Sequence, residues 1–304
     1  MPKQESDEII DSTMLVSPGD TIFLPLKGYP SEKDAIFLAL IIAEYFGSTV
    51  SIFHHLDKSS KAEEYFVKQL NWVKEKAKSL NVQIKIINTD EKVTGKTDKI
   101  LLKQIHELAP KLTIMMSRRK GIFQKLSGSI AEKVARKSPH SVLIVRSPIK
   151  DWTTYADHID PKKIAVPIGP GAPYEVLATQ IAIAIANAGK TDDASISLLH
   201  VVVVPETVPI HTQDDEFYLH EEKSFIKRAG RYSTMMLYPM NSRVIIGRDI
   251  GRSVSHFVNK ENIDLLVMGM PYLPKKFFGL YGTDVNDIYQ KSMCSIVMLF
   301  YKTS

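Results

Sequence analysis

A displacement of 154 residues lays one half of this chain on the other. Under it Leu112-Thr-Ile-Met115 falls on Leu266-Val-Met-Gly269, Gly128-Ser129 on Gly282-Thr283, and Val142-Leu-Ile-Val145 on Ile296-Val-Met-Leu299, with no gap between them. Self-similarity over that distance means that one folding unit is written twice. At 304 residues, 44% of them hydrophobic, the chain can bury two ordinary cores.

Within each copy, short apolar β-rich runs alternate with stretches of helical period. In the first copy, strands are expected at 21–26, 49–54, 82–87, 112–116 and 142–145. Helices are expected from Ser31 and Asp34 onward, at 61–80 and at 98–108. The second copy repeats the order, with strands at 163–168, 194–204, 243–246, 263–269 and 296–300 and helices near 174–188, 216–238 and 250–260. Parallel neighbours need crossover helices, and near-continuous apolar strands such as Val142 to Val145 mean burial on both faces. The expected fold is therefore α/β, as two tandem doubly wound domains, each with a five-stranded parallel sheet. We expect a flexible tail over 1–20, domains over 21–148 and 162–304, and a linker over 149–161. Residues 141–146 and 295–301 are similar apolar edges, hazardous if left open, and are expected to pair with each other in antiparallel fashion or with a second chain.

The last stretch carries the chemistry. Ile263 to Gly269 reads as a buried strand ending in glycine, followed by a loop and then Gly282-Thr283 at the start of a helix. A glycine at a strand tip permits close backbone approach, and a helix start offers N–H groups, a hydroxyl and the positive end of the dipole. The arrangement outlines a phosphate site, although strand-end glycines and Thr N-caps are also ordinary structural devices.

The spacing of Gly, two residues, any residue or Gly, nine residues, then Gly-Ser/Thr resembles the adenine-nucleotide loop of the universal stress protein family. The whole chain resembles a tandem of two such domains, of Rossmann-like fold. Gly269, Tyr272, Gly282 and Thr283 stand at the four positions in the second copy, and Met115, Arg118, Gly128 and Ser129 in the first. The resemblance implies a non-catalytic regulatory protein, a weak ATPase at most, that binds ATP or another adenine nucleotide. It further implies a cytoplasmic protein of the stress response, in which the two domains form a pseudo-dimer and a homodimer is open. In the family an Asp usually follows a Pro-aliphatic pair at the end of the first strand and holds the adenosine; here Lys27 follows Pro25-Leu26 and Gly169 follows Pro167-Ile168. In open α/β sheets the ligand crevice lies where strand order reverses. The second site is thus expected from Pro167, Ile168, Gly169, Gly269, Tyr272, Gly282 and Thr283, and a more altered first site from Lys27, Arg118, Gly128 and Ser129. Asp284, next to Thr283, suits the helix dipole but would repel a phosphate in the same place.

Charge and composition leave two other readings open. Residues 1–150 hold 24 Lys/Arg against 17 Asp/Glu, leaving 15 against 17 from the totals of 39 and 34. The excess gathers in Arg118, Arg119, Lys120, Lys125, Lys133, Arg136 and Lys137, a solvated helix face or a surface for an anionic macromolecule. Nucleic acid is not expected as the partner. The other alternative, a nucleotide hydrolase, lacks a general base or metal carboxylates after Pro25 and Pro167. No apolar run is long enough to span a bilayer, and Cys294 stands alone, which suits a reducing compartment. Gly247-Arg-Asp-Ile-Gly251-Arg-Ser253 resembles a phosphate loop but lacks its Lys and is one residue short, so a helix start is expected there. His200, His211 and His220 lack metal-ligand spacing, and no metal is assigned. His54, His55 and His200 end strands, where they either approach a ligand or cap the strand. Residues 205–215 form a surface loop beside the second site.

Overall fold

The computed structural model describes residues 15–54, 60–87, 95–117, 129–147, 161–169, 172–188, 194–207, 216–271 and 282–302, with the backbone alone at 60–63, 216–217 and 282–283. The first half comprises β1 (Thr21–Leu26), α1 (Lys33–Phe46), β2 (Thr49–His54), α2 (Ser60–Ser79), β3 (Ile84–Ile87), α3 (Thr97–Leu108), β4 (Leu112–Met116), α4 (Ile130–Lys137) and β5 (Ser141–Arg146). The second comprises β6 (Lys163–Pro167), α5 (Pro173–Ala188), β7 (Ser195–Val203), α6 (Glu216–Met235), β8 (Met240–Gly247), α7 (Ile250–Lys260), β9 (Leu265–Pro271), α8 (Gly282–Lys291) and β10 (Ser295–Tyr301).

All ten strands join one sheet in the order β3-β2-β1-β4-β5-β10-β9-β6-β7-β8. Each half is a doubly wound parallel sheet. The only antiparallel pair among the described strands is β5 with β10, so the expected pairing of the last strands is present and occurs within the chain. Its register places Ile144 opposite Met298, its own counterpart 154 residues on, and Val142 opposite Phe300 as Arg146 is opposite Ile296. A pseudo-twofold axis therefore passes through the middle of this pair.

Two cores flank the sheet. Residues of α1, α2, α5 and α6 fill one face, and those of α3, α4, α7 and α8 the other. The run from Ala35 to Ala43 is buried without interruption, where a helix resting on a sheet alone would leave one side exposed. The reason is a second covering surface: α1 packs on the sheet and also against α5 of the other half, with Phe37 and Ile41 meeting Ala184. The start of α1 also differs from expectation. Ser31 lies in a short 3-10 turn, Pro30–Glu32, and Asp34 does not close a capping box; its carboxylate accepts a hydrogen bond from Ser147 Oγ. β8 begins at Met240, three residues before the expected strand, because pairing with β7 extends across the whole edge.

Arg146 ties the halves together. Fully buried at the end of β5, it donates from Nη1 to Tyr289 O and from Nη2 to Ser292 O (2.8 Å) and Cys294 O (2.7 Å), at the carboxyl end of α8. The guanidinium also lies 5.1 Å from the centre of the Tyr289 ring. A cation on unsatisfied terminal carbonyls offsets both their desolvation and the negative end of the helix dipole. Lys302 does likewise across the axis, donating from Nζ to Ser138 O at the end of α4. Burial pushes the Cys294 thiol up to about 11, so it stays protonated and packs as an apolar group. Removing the arginine would orphan three buried carbonyls, and Arg146→Ala is predicted to lower unfolding free energy by about 3 kcal/mol or more; urea denaturation followed by circular dichroism measures it.

Candidate functional site

In each half the strand order reverses between its first and fourth strands, β1 with β4 and β6 with β9. The crevice expected at such a point opens at the carboxyl tips of these strands. At the second tip pair, Ala165 lies opposite Leu266, and continuing that register brings Ile168 level with Gly269 and Gly169 level with Met270. Pro167, Ile168, Gly169 and Gly269 thus converge. Gly282 and Thr283 open α8, which leads back from this end of the sheet. Tyr272 lies outside the described residues, as do Arg118 and Gly128 at the first tip pair, and His55 and His211.

Both first-strand tips are held by the protein's own carboxylates. Glu32, buried, accepts from the N–H groups of Lys27 (3.0 Å to Oε1), Gly28 (3.0 Å) and Tyr29 (2.9 Å). Glu175, buried in the first turn of α5, accepts from Gly169 N–H (2.8 Å) and Ala172 N–H (3.0 Å). A ring of converging N–H groups is an anion-binding concavity, and here a side chain fills it in both halves. Sequence reading passed over these two acids; the signal was a Glu seven residues after Pro25 and another eight residues after Pro167.

The strand-ending histidines follow the same duplicated logic. His54 Nδ1 lies 3.2 Å from Leu26 O and its ring stacks on Phe66, while His200 Nδ1 lies 3.2 Å from Ile168 O and its ring stacks on Phe225. Each fastens a second strand to the tip of the first.

Gly269 is needed for contact within the chain. A Cβ at that position would overlap the carbonyl of Tyr174 and come within 3.2 Å of Glu175 N, so the first turn of α5 lies directly on the β9 tip. Met115, the first-half counterpart, instead buries its side chain in the core beneath α3 and α4.

The helix starts differ in a way that bears on anions. Ser129 caps α4, its Oγ accepting from Glu132 N–H (3.1 Å), and the buried Glu132 carboxylate pairs with Arg136 Nε at 3.0 Å. The start of α4 is thus already supplied with a hydroxyl and a negative charge. In the second half Asp284 turns toward the neighbouring helix, where its Oδ1 accepts from Gly251 N–H (3.2 Å) at the start of α7. Gly251 packs backbone to backbone on Asp284, and Asp249 caps α7 through Arg252 N–H (2.7 Å). The segment from Gly247 to Ser253 is accordingly a strand-to-helix turn.

The family model for the universal stress protein family matches residues 20–146. The chain carries a universal stress protein domain. Its second half repeats the strand order of that domain. A universal stress protein from Archaeoglobus fulgidus is similar along nearly its full length, at 14% identity and a TM-score of 0.59, covering 96% of this chain and 99% of that one. A protein of unknown function from Pseudomonas aeruginosa PAO1 is similar at 10% identity and a TM-score of 0.58, covering 95% and 93%. At these identities the likeness concerns the tandem fold. No curated protein sequence matches the chain.

Among the described residues of this universal stress protein fold, no group of three or more His, Cys, Asp or Glu is placed to hold a metal ion, and no helix is long and apolar enough to cross a membrane.

Two measurements test the local account. Gly269→Ala forces Cβ into the Tyr174 carbonyl and is predicted to destabilise by about 2 kcal/mol or more with no nucleotide present; unchanged thermal stability would show that the glycine serves something other than this contact. Asp34, whose burial raises its carboxyl above 3.8 despite the Ser147 hydrogen bond, binds a proton more tightly folded than unfolded. Its contribution is complete below 3.8 and is lost as pH rises through the raised value. Asp34→Asn is therefore predicted to flatten that part of the stability-against-pH curve.

Proposed function

We propose that this protein is a non-catalytic regulator of the universal stress type that binds ATP or another adenine nucleotide in its second half, while the first half keeps the fold without the ligand. The reading divides the chain into domains at 21–148 and 162–304 with a linker between, and places its action in the cytoplasm. One observation carries it: the β6 and β9 tips lie level at the reversal of strand order, with α8 starting there and Asp284 committed elsewhere.

In this reading Pro167, Ile168 and Gly169 border the adenosine, and Tyr272 and the start of α8, Gly282-Thr283, border the phosphates. Gly269 contributes by letting α5 close on the strand tip. The corresponding groups of the first half are poorly suited to an anion. At the start of α4 Ser129 Oγ already accepts from Glu132 N–H, and the buried Glu132 carboxylate occupies the first turn. Filling the first-strand loop with a carboxylate supports binding without chemistry, since neither Glu32 nor Glu175 is left to act as a base.

Isothermal titration with ATP, ADP and AMP tests the proposal. Saturable binding that is lost in Gly282→Val, with the far-ultraviolet circular dichroism unchanged, is the expected result. No heat with any of the three at millimolar concentration would reject the ligand.

A further inference from the structure

One layer of helices is strongly basic in the first half and nearly balanced in the second. α3 and α4 pack side by side on one face of the sheet, with Leu101, Ile105, Val134 and Ala135 turned into the core. The opposite sides of both helices are turned to solvent. There Lys96, Lys99 and Lys103 stand at the cap and along α3, and Lys133 and Lys137 along α4, all five exposed. Residues four apart on a helix are separated by about 6 Å along its axis, and packed helices by about 8–10 Å, so each of these charges lies within roughly a Debye length of its neighbours.

The patch is not neutralised. Glu107 is the one exposed acid of α3 and α4, and it pairs with Lys103 at 3.7 Å; Glu132 is buried and pairs with Arg136. Among the described residues no ion pair involves Lys96, Lys99, Lys133 or Lys137. The other half supplies the comparison. α7 and α8 occupy the same layer, and there the exposed Arg252, Lys260 and Lys291 stand with Asp287 and Glu261, Asp287 pairing with both Arg252 (3.6 Å) and Lys291 (2.6 Å).

Folding does not account for the lysines. Lys96 is the cap residue of α3 and Lys99 lies in its first turn, where the positive end of the helix dipole disfavours a cation. Lys99 with Lys103, and Lys133 with Lys137, are like charges one turn apart, an arrangement that weakens a helix. The composition of the face narrows what it fits. None of the exposed large apolar or aromatic side chains belongs to α3 or α4, so the face has no platform for stacking bases and no anchor of the kind that centres a protein interface. Two adjacent helices present a shallow surface rather than an element that enters a nucleic-acid groove. Lysine, a flexible point charge, suits a negative surface that imposes no fixed geometry.

We propose that the outer face of α3 and α4 docks this protein on a membrane surface rich in anionic lipid, held by lysine charge without insertion. The contact is peripheral, since no helix among the described residues is long and apolar enough to cross a membrane. Each lysine held near such a surface strengthens partitioning by about fivefold. The proposal is independent of the nucleotide site.

The test is flotation of the full chain with vesicles of equal parts phosphatidylcholine and phosphatidylglycerol, and with phosphatidylcholine alone, at low and at physiological salt. Two double variants are compared with the wild type: Lys99→Gln with Lys133→Gln, and Lys74→Gln with Lys78→Gln, which removes the same charge from exposed positions of α2 on the other face of the sheet. The wild type is expected to bind the mixed vesicles only, more weakly as salt rises. The first variant is expected to partition at least about tenfold less, with its far-ultraviolet circular dichroism unchanged, and the second to bind like the wild type. Equal loss in both variants would assign the effect to net charge and overturn the proposal, as would failure of the wild type to bind the mixed vesicles at low salt. Tighter binding of a duplex DNA or RNA oligonucleotide than of vesicles, lost in the first variant, would give the face to nucleic acid and overturn the lipid assignment.

Discussion

The pairing of β5 with β10 is the constraint on which the rest of the structure depends. Two copies of a doubly wound sheet each end in an apolar strand with an open edge, and an open apolar edge invites association with other chains. Joining the two edges removes both. It also fixes a pseudo-twofold axis between Ile144 and Met298 and buries Arg146 against the carboxyl end of the other half's last helix. A buried guanidinium is tolerated here because three main-chain carbonyls receive it. The same carbonyls would otherwise be helix-terminal groups without partners. The fused sheet is therefore continuous from β3 to β8, and the two halves cannot shift without breaking a buried polar cluster as well as a ladder.

The two crevices are unequal although the joint that relates them is pseudo-symmetric. Sites are grafted on folds, and here the fold is kept in both halves while the groups at the strand tips have diverged. Glu32 and Glu175 show what was conserved as a device between the halves: a carboxylate folded back onto the loop after the first strand. The helix starts show what was not. Ser129 and Glu132 complete the end of α4 internally, whereas Asp284 braces α7.

Much of the fold was legible in the chain because a gapless displacement, repeated apolar runs and helical periods all point to the same architecture. Where the reading fell short, the missing information was tertiary. The burial of α1 on nearly all sides depends on α5, about 140 residues away in sequence, which no local period reveals. Gly269 illustrates the limit at the site. Its sequence context specifies close backbone approach, and the chain cannot say whether the approaching group is a ligand or, as the geometry has it, the Tyr174 carbonyl.

Native-state hydrogen exchange across the joint tests the central claim most directly. If β5 and β10 form the shared centre of one body, the amides of 142–145 and 296–299 exchange only through global unfolding and shift together with denaturant. Exchange of these amides at a lower free energy than those of β1 and β6, as the halves part while each stays folded, would contradict it.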